Sequence, residues 1–262
     1  MRALSTAATG MAAQQLNVEV ISNNIANMNT VGFKRQQAEF EDLLYQDVER
    51  AGTQSSANGN IVPTGIQIGA GVKAGSVYRI TEQGSMTQTG NQLDVAINGR
   101  GYLQVLMPDG TTAYTRAGNL SLNQDGQLVN SDGYLVQPQI TIPSTATAVT
   151  ISTNGQVQVT VPGQTAPTTV GQLQLATFTN EAGLEAMGDN LYEVSYASGQ
   201  PVTGNPADPG FGTIMQGYTE ASNVDAVSEI TNLITAQRAY EMNSKVVTTA
   251  DQMLSTTSQM KS

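Results

Sequence analysis

Apolar side chains recur every seven residues at the beginning of the chain. The file that defines this period consists of Leu4, Met11, Val18 and Ile25. A narrow stripe with this period predicts the seam of a coiled coil rather than the wide apolar face of a helix on a globular core. The other faces carry mainly Asn and Gln, whereas a water-exposed helix usually carries pairs of Glu and Lys. We therefore expect other helices to surround this one.

The end of the chain repeats the same period. Its main file is Leu233, Tyr240, Val247 and Leu254, and a neighbouring file is Ala239, Val246, Met253 and Met260. Either Asn223 or Asp225 is suited to cap the start of this second helix. The simplest arrangement pairs the two terminal helices as an antiparallel coiled coil. The alternative, in which each helix packs separately on a globular core, stays open.

The middle of the chain has the pattern of antiparallel β-structure. All nine prolines lie between Pro63 and Pro209, and runs of alternating or β-branched residues are separated by turn signals. Four dipeptides favoured in tight hairpin turns are Asp109-Gly110, Asp125-Gly126, Asp132-Gly133 and Asn154-Gly155. We therefore predict an α+β fold in which a mainly antiparallel β domain is inserted between the terminal helices.

These patterns divide the chain into three parts. Residues 1–30 and 223–262 are expected to form one discontinuous coiled-coil domain, and residues 66–222 a β-rich outer domain. Residues 31–65 are expected to be a connector, because residues 51–60 are small, polar and without a pattern. We expect the segment Gln46–Pro63 to contact neighbouring molecules in an assembly.

Composition restricts the classes of function. The 262 residues include 11 basic and 21 acidic side chains, for a formal net charge of -10, and no His or Cys. An acidic chain is a poor partner for nucleic acid. The commonest general base and the commonest zinc ligands are missing. This removes most of the usual residues for hydrolysis or metal chemistry at neutral pH without excluding every enzyme, and we expect no cofactor and no metal. The sequence shows no apolar run of signal-peptide or membrane-spanning length, so we expect neither a cleavable signal nor direct membrane insertion.

Two possible chemical sites are weak. Ser121–Asp132 has the rough spacing of a calcium loop but lacks the terminal bidentate Glu, and we interpret it as a hairpin. Glu181, Glu185 and Asp189 could supply a carboxylate pair for cleaving glycosidic bonds. A glycan-binding or glycan-cleaving protein therefore remains an alternative, although exposed carboxylates are ordinary on an acidic protein.

Segments in three regions of the chain together resemble one known family. The segment from Ser22 to Arg35 contains four asparagines followed by Val31-Gly32-Phe33-Lys34-Arg35. Near the C-terminal end are Gln216–Asp225 and the run Gln237-Arg238-Ala239-Tyr240-Glu241. In the middle of the chain are Tyr114–Gly118 and Asp125–Val129. These segments, in this order and at these ends, resemble the signatures of bacterial flagellar basal-body rod and hook proteins.

The resemblance implies a non-enzymatic structural subunit of the flagellum. It implies many copies stacked helically into a rigid, hollow drive shaft, with terminal helices inside and β domains outside, that carries torque from motor to hook. The implied location is the basal body, where the rod spans the periplasm. The expected partners are further copies of the chain, proximal rod proteins, the hook protein, the surrounding P- and L-ring proteins and the flagellar export apparatus, which would export the chain without signal cleavage. Length and connector most resemble the distal rod subunits, with a proximal rod or hook subunit as the alternative.

The predicted contacts between subunits lie in the terminal segments. The candidate residues are Leu4, Met11, Val18, Asn23, Asn24, Ile25, Asn27, Gly32, Phe33, Lys34, Arg35, Asn223, Leu233, Arg238, Tyr240, Glu241, Val247 and Leu254. For the asparagines, the competing interpretation is local: they end the first helix, and Gly32 adopts a left-handed conformation. Lys34 and Arg35 are alternatively a solvated pair, and Arg238 and Glu241 alternatively pair within one helix.

Overall fold

The computed structural model describes residues 2–49, 64–163 and 166–260. Its contacts divide the chain into two compact units. Unit 1 consists of Met1–Ile25, Gln36–Tyr78 and Asp225–Ser262, and unit 2 of Ala26–Arg35 and Arg79–Val224. The predicted α+β class is confirmed, because two terminal helices frame an antiparallel, β-rich middle.

Unit 1 contains both helices and four strands. These elements are α1 (Arg2–Ala26), β1 (Gln36–Asp42), β2 (Tyr45–Glu49), β3 (Ile66–Gly69), β4 (Val72–Arg79) and α2 (Ala226–Gln259). β1 pairs with β4, and β2 pairs with β3 in antiparallel register. Residues 36–49 of the predicted connector thus form two strands, and residues 50–63 lie outside the described residues. Neither described helix is long and apolar enough to cross a membrane.

The two helices pack side by side and antiparallel. Near the end of α1, Asn24 hydrogen-bonds to Glu229 near the start of α2. Closer to the start of α1, Gly10 lies so near Asn243 that a Cβ on Gly10 would be 2.9 Å from the Asn243 amide nitrogen. As residue numbers increase along α1, the numbers of the α2 residues beside them decrease. This is the arrangement that the predicted antiparallel coiled coil requires.

The line of closest approach differs from the predicted files. Buried α1 residues are Ala7, Ala13, Val20, Ile21 and Asn24, whereas Leu4, Met11, Val18 and Ile25 are half-buried. In α2 the buried residues are Glu229 and Ala236, and the side chains of Tyr240, Val246, Leu254, Met253 and Met260 are exposed. The prediction ranked side chains by hydrophobicity. The contacts that the structure shows between the helices involve Gly10, Asn24, Glu229 and Asn243, which lie outside the predicted files.

Asp225 caps the second helix, which resolves the choice left open by the sequence. Its backbone is extended, and its carboxylate oxygen Oδ1 accepts a 3.0 Å hydrogen bond from the Ser228 amide. This is the geometry of an N-cap, which satisfies one of the free amides of the first turn.

Unit 2 is built from sixteen short strands. These are β5 (Met86–Gln88), β6 (Val95–Asn98), β7 (Tyr102–Leu106), β8 (Thr112–Thr115), β9 (Ser121–Leu122), β10 (Leu128–Val129), β11 (Leu135–Gln137), β12 (Ala148–Ile151), β13 (Gln156–Thr160), β14 (Thr168–Gln172), β15 (Leu175–Thr177), β16 (Glu185–Gly188), β17 (Leu191–Glu193), β18 (Val202–Gly204), β19 (Thr213–Gln216) and β20 (Tyr218–Glu220). The main sheet has the order β16-β17-β8-β7-β11-β10-β9, with β15 joining β7 to β18. β12-β13-β14, β6-β19 and β5-β20 form smaller antiparallel sheets.

All four predicted Gly-containing turns join successive strands. In each, the Gly has a positive φ of 75–87° and donates its amide to the carbonyl three residues earlier. A second bond closes the loop from that earlier residue to the position after the Gly, for example Met107 N to Thr111 O at 2.8 Å. The preceding Asp or Asn keeps a negative φ, so the loops belong to the longer class with a left-handed Gly. The Ser121–Asp132 segment is such a hairpin, as predicted.

The core of unit 2 lies between these sheets. Its fully buried side chains include Ile97, Leu103, Leu120, Leu173 and Ile214. A smaller cluster beside it contains Tyr102, Tyr114, Ala176, Phe178, Leu184 and Tyr192, with edge-to-face ring contacts. Burial within this cluster raises the pKa of Tyr102 above its usual range, with the nearby Glu181 charge adding to the effect.

Candidate functional site

The segment after α1 depends on a glycine at residue 32. Gly32 has a φ of 71°, and its amide donates a 2.8 Å hydrogen bond to the carbonyl of Glu220. A Cβ on Gly32 would lie 2.8 Å from the backbone nitrogen of Ala117. The predicted left-handed conformation is therefore confirmed, and close packing against the Arg116–Ala117 backbone is a second reason for glycine at this position.

Gly32→Ala should destabilise unit 2 more than an ordinary substitution at a positive φ. The matched control is Gly133→Ala, because Gly133 has a φ of 85° and a Cβ there would meet no atom within 4 Å. We expect about 1 kcal/mol of lost stability at Gly133, from backbone strain alone. At Gly32 we expect roughly 2–3 kcal/mol or more, since the methyl group also overlaps backbone. Chemical denaturation of both variants measures the difference, and equal losses would contradict this account.

Lys34 lies in the interior of unit 2. Its side chain is 3% exposed, and Nζ donates to Glu220 Oε1 at 2.6 Å and to the Glu82 carbonyl at 2.7 Å. The interpretation of Lys34 as a solvated residue is therefore wrong, and its ammonium group is occupied by partners of its own chain. The sequence offered no sign of this, because the acceptor carboxylate is 186 residues away.

Arg116 holds the other oxygen of the same carboxylate. Its Nη2 lies 2.8 Å from Glu220 Oε2, and its Nε donates to that oxygen at 2.9 Å. The remaining N–H groups reach backbone carbonyls, with Nη1 donating to Gly99 at 2.9 Å and to Gly101 at 2.8 Å. The backbone amide of Gly84 also donates a hydrogen bond to Glu220 Oε1, at 3.0 Å. We call Lys34, Arg116 and Glu220 the buried charge cluster.

The charges in this cluster shift one another's titration. Burial of Glu220 by itself raises its pKa, but the adjacent Arg116 and Lys34 charges outweigh it, so that the pKa of Glu220 is lowered. For Lys34 burial is the larger effect and lowers its pKa, while the attraction of Glu220 opposes that shift. Among the described residues, every buried side-chain nitrogen and oxygen has a hydrogen-bond partner. The polar atoms of the cluster are thus all hydrogen-bonded within the chain. The cluster stabilises the fold and has no free group to bind a substrate.

Asn223 connects the segment that follows Lys34 to the segment that contains Glu82. Its Oδ1 accepts the Arg35 amide at 2.7 Å, and its Nδ2 donates to the carbonyls of Ile80 and Glu82 at 2.9 and 3.0 Å. The Arg35 carbonyl in turn accepts the Ile80 amide at 2.8 Å. Asn223 therefore connects backbone segments within unit 2 and does not cap α2.

Asn24 has a comparable role in unit 1. Its amide exchanges two hydrogen bonds with the backbone of Gln36, at 2.8 and 2.9 Å, and donates a third to Glu229 at 3.2 Å. Both polar atoms of Asn24 thus have partners within the chain. That the Asn24 amide also bonds across a subunit boundary stays a prediction. The competing prediction of a helix terminator is wrong for this residue, because α1 continues to Ala26.

The other predicted residues lie nearer the surface. Phe33, Arg35, Asn27, Leu233 and Val247 are half-buried, and Asn23, Arg238, Tyr240, Glu241 and Leu254 are exposed. Asn27 accepts a hydrogen bond from the Thr30 hydroxyl at 3.1 Å, which closes the turn after α1. The structure does not test a role of these side chains in assembly.

Arg116 and Glu220 were missed as site residues, although both lie inside the segments that carry the family resemblance. One signal was available: Arg116 is the only basic residue between positions 101 and 237. The described residues contain no group of three or more Asp and Glu side chains placed to hold a metal ion. Of the three candidate catalytic carboxylates, Glu181 pairs with Arg100 at 3.2 Å, while Glu185 and Asp189 are exposed.

Comparisons with known proteins agree with the positions of these segments. A family described as flagella basal body rod protein matches residues 4–34, and the C-terminal family of flagellar basal body rod FlgEFG proteins matches residues 215–260. The D1 domain family of the flagellar hook proteins FlgE/F/G matches residues 96–159. Lys34 lies in the first match, Arg116 in the D1 match and Glu220 in the C-terminal match.

Full-length relatives give a more specific result. The chain is 70% identical over 262 residues to the flagellar basal-body rod protein FlgG of Caulobacter vibrioides, covering 100% of both chains. It is 56% identical to FlgG of Agrobacterium fabrum, with 97% of each chain covered, and 40% identical to FlgG of Bacillus subtilis, also with 97% covered. The chain therefore belongs to the family of bacterial flagellar basal-body rod proteins and is a structural subunit of the distal rod.

Proposed function

We propose that copies of this chain polymerise helically into a rigid, hollow shaft that carries torque from the flagellar motor to the hook. Unit 1 supplies the contacts between copies, and unit 2 is the self-sufficient outer part. The observation that carries this proposal is the amount of apolar surface that unit 1 leaves exposed.

The helix α2 has more apolar surface than one partner helix covers. Its exposed large apolar side chains are Val227, Ile230, Ile234, Tyr240, Met242, Val246, Met253, Leu254 and Met260. The strands β2 and β3 also carry exposed apolar side chains, among them Tyr45 and Ile66. So many exposed large apolar side chains on one unit are typical of an interface with another protein. In a rod made of one repeated subunit, the partner with matching abundance is a second copy.

Unit 1 is also sparsely packed as a separate body. Among the described residues, its fully buried apolar side chains are Ala7, Ala13, Val20, Ile21 and Ala236, and the many others of the protein belong to unit 2. Small buried side chains contribute little hydrophobic free energy. Neighbouring copies in a polymer would supply the burial that unit 1 lacks.

The remaining parts of the proposal follow from the family. The predicted assembly residues in α1 and α2, such as Val18 and Tyr240, keep their proposed role, and half-burial or exposure leaves them available for it. The ends of the polymer would meet proximal rod proteins and the hook protein, and its outside the P- and L-ring proteins. Delivery into the periplasm would use the flagellar export apparatus without signal cleavage.

Limited proteolysis tests whether unit 2 is stable alone and whether unit 1 becomes stable only in the polymer. In dilute monomer we expect protease to cut first within unit 1 and to leave resistant unit 2, Ala26–Arg35 and Arg79–Val224, because unit 1 buries so little apolar surface. In assembled polymer the same bonds should become resistant. Fragments are identified by intact mass. Equal resistance of all segments in the monomer would show that unit 1 is stable alone and would count against assembly as the source of its stability.

A further inference from the structure

A groove runs between the two helices of unit 1. It has a volume of about 460 Å³ and is lined by Gln15, Val18, Glu19, Gln237, Tyr240 and Glu241. Val18 and Tyr240 belong to the heptad files that the sequence predicted to form the seam. The structure places them beside the line of closest approach, at the edges of an open groove.

The chemistry of this groove favours a particular kind of side chain. It combines an aliphatic and an aromatic surface with two carboxylates and has no basic lining residue. The amide of Gln15 donates to Glu19 Oε1 at 3.1 Å, which orients that carboxylate. A guanidinium group suits such a site, because it stacks on a phenol ring and bonds to carboxylates in a planar fork.

A complementary stripe lies on the outer face of α2. Val227, Ile230, Ile234, Arg238 and Lys245 follow one another at helical spacing, on the face turned away from the buried Glu229 and Ala236. Val227 is 76% exposed, and Ile230 and Ile234 are about half-exposed. In the described part of the chain the exposed cations Lys73 and Arg100 form ion pairs with Glu41 and Glu181, but Arg238 and Lys245 form none.

We propose that this stripe of one copy packs into the groove of the next, an inference that rests on the proposed polymer. Ile234 fills the apolar part of the groove, and Arg238, one turn further along α2, pairs with Glu19 and Glu241 of the neighbour. The contact joins two different surfaces of the same subunit. Contacts of that type propagate into an open helical polymer rather than closing as a two-fold dimer.

Charge reversal in the full-length chain tests the pairing. Arg238→Glu and Glu19→Arg should each raise the critical concentration for polymerisation roughly tenfold or more, because each places like charges together in a desolvated contact. A chain that carries both reversals should polymerise at a lower critical concentration than either single variant, because the pair between positions 19 and 238 is restored with its charges exchanged. The control is Lys245→Glu, a reversal on the same helix face two turns away, for which we expect less than about a threefold change. Pelleting assays measure these values, and circular dichroism checks that each monomer keeps its helix content.

Cross-linking gives an independent test, since the natural chain contains no cysteine. Polymer assembled from a mixture of Glu19→Cys and Arg238→Cys chains should form covalent dimers on oxidation, while either variant alone should form far fewer. Ordinary polymerisation by both single reversals, or equal cross-linking in all three samples, would overturn the pairing but leave the proposed polymer intact. Failure of the unaltered chain to polymerise under any condition would instead overturn the proposed function itself.

Discussion

Replacing Glu220 with Gln should cost unit 2 about 3–5 kcal/mol of unfolding free energy, since it leaves two buried cations without their counter-charge. The Glu220 carboxylate is fully buried and forms ion pairs with both Lys34 and Arg116, at 2.6 and 2.8 Å. Glutamine preserves the size of the side chain and part of the hydrogen bonding, so the loss reports the charge. Chemical denaturation followed by the tyrosine signal of unit 2 provides the measurement.

The control for Glu220→Gln is Arg100→Gln. It also breaks an ion pair within unit 2, but the Arg100 side chain is 64% exposed. Surface pairs contribute at most about 1 kcal/mol, so the two losses should differ several-fold. Similar losses would mean that the buried charge cluster is no more important to the fold than a surface pair.

The cost of Glu220→Gln should also depend on pH. The pKa of Glu220 is lowered in the folded state, so its charge stabilises the protein above its unfolded pKa of about 4.3, and this contribution is lost as the pH falls through the folded value. A protonated Glu220 resembles Gln. The difference between variant and unaltered chain should therefore be largest above about pH 5 and become smaller in more acidic solution. A difference that stayed constant throughout this range would contradict the assigned ionisation.

Ile230→Asp should prevent polymerisation at concentrations where the unaltered chain assembles. Ile230 lies on the outer face of α2 and is 48% exposed in the single chain, so an Asp there costs the monomer little. In the proposed polymer the same carboxylate would be buried against a neighbour without a partner, at a cost of several kcal/mol. We expect at least a hundredfold rise in the critical concentration, measured by pelleting and electron microscopy.

Unit 2 offers a matched control for this substitution. Met187 on β16 is also 48% exposed, and Met187→Asp should leave the critical concentration nearly unchanged if unit 1 alone supplies the main contacts. Both variants should keep the secondary structure of the unaltered monomer. If Met187→Asp blocked assembly and Ile230→Asp did not, the contacts between copies would belong to unit 2.

The amino-acid sequence by itself determined the local structure of this protein. Heptad spacing predicted the two terminal helices, and four Asp-Gly or Asn-Gly pairs predicted four hairpin turns. These predictions succeed because helix periodicity and the left-handed conformation of Gly depend on steric effects within a few residues. The same short segments also carried the resemblance that identified the family.

The tertiary structure decided which polar residues are buried and what they contact. Lys34, Arg116 and Glu220 are three unremarkable charges in the sequence, and folding brings them together across separations of up to 186 residues. The line of contact between the helices likewise runs through Gly10 and Asn243 instead of the large residues of the heptad files. Such outcomes depend on how closely two backbones approach and on which distant carboxylate comes within reach. The periodicity of one segment predicts neither the distance between two backbones nor the partner of a buried charge, because both are set only when remote segments pack together.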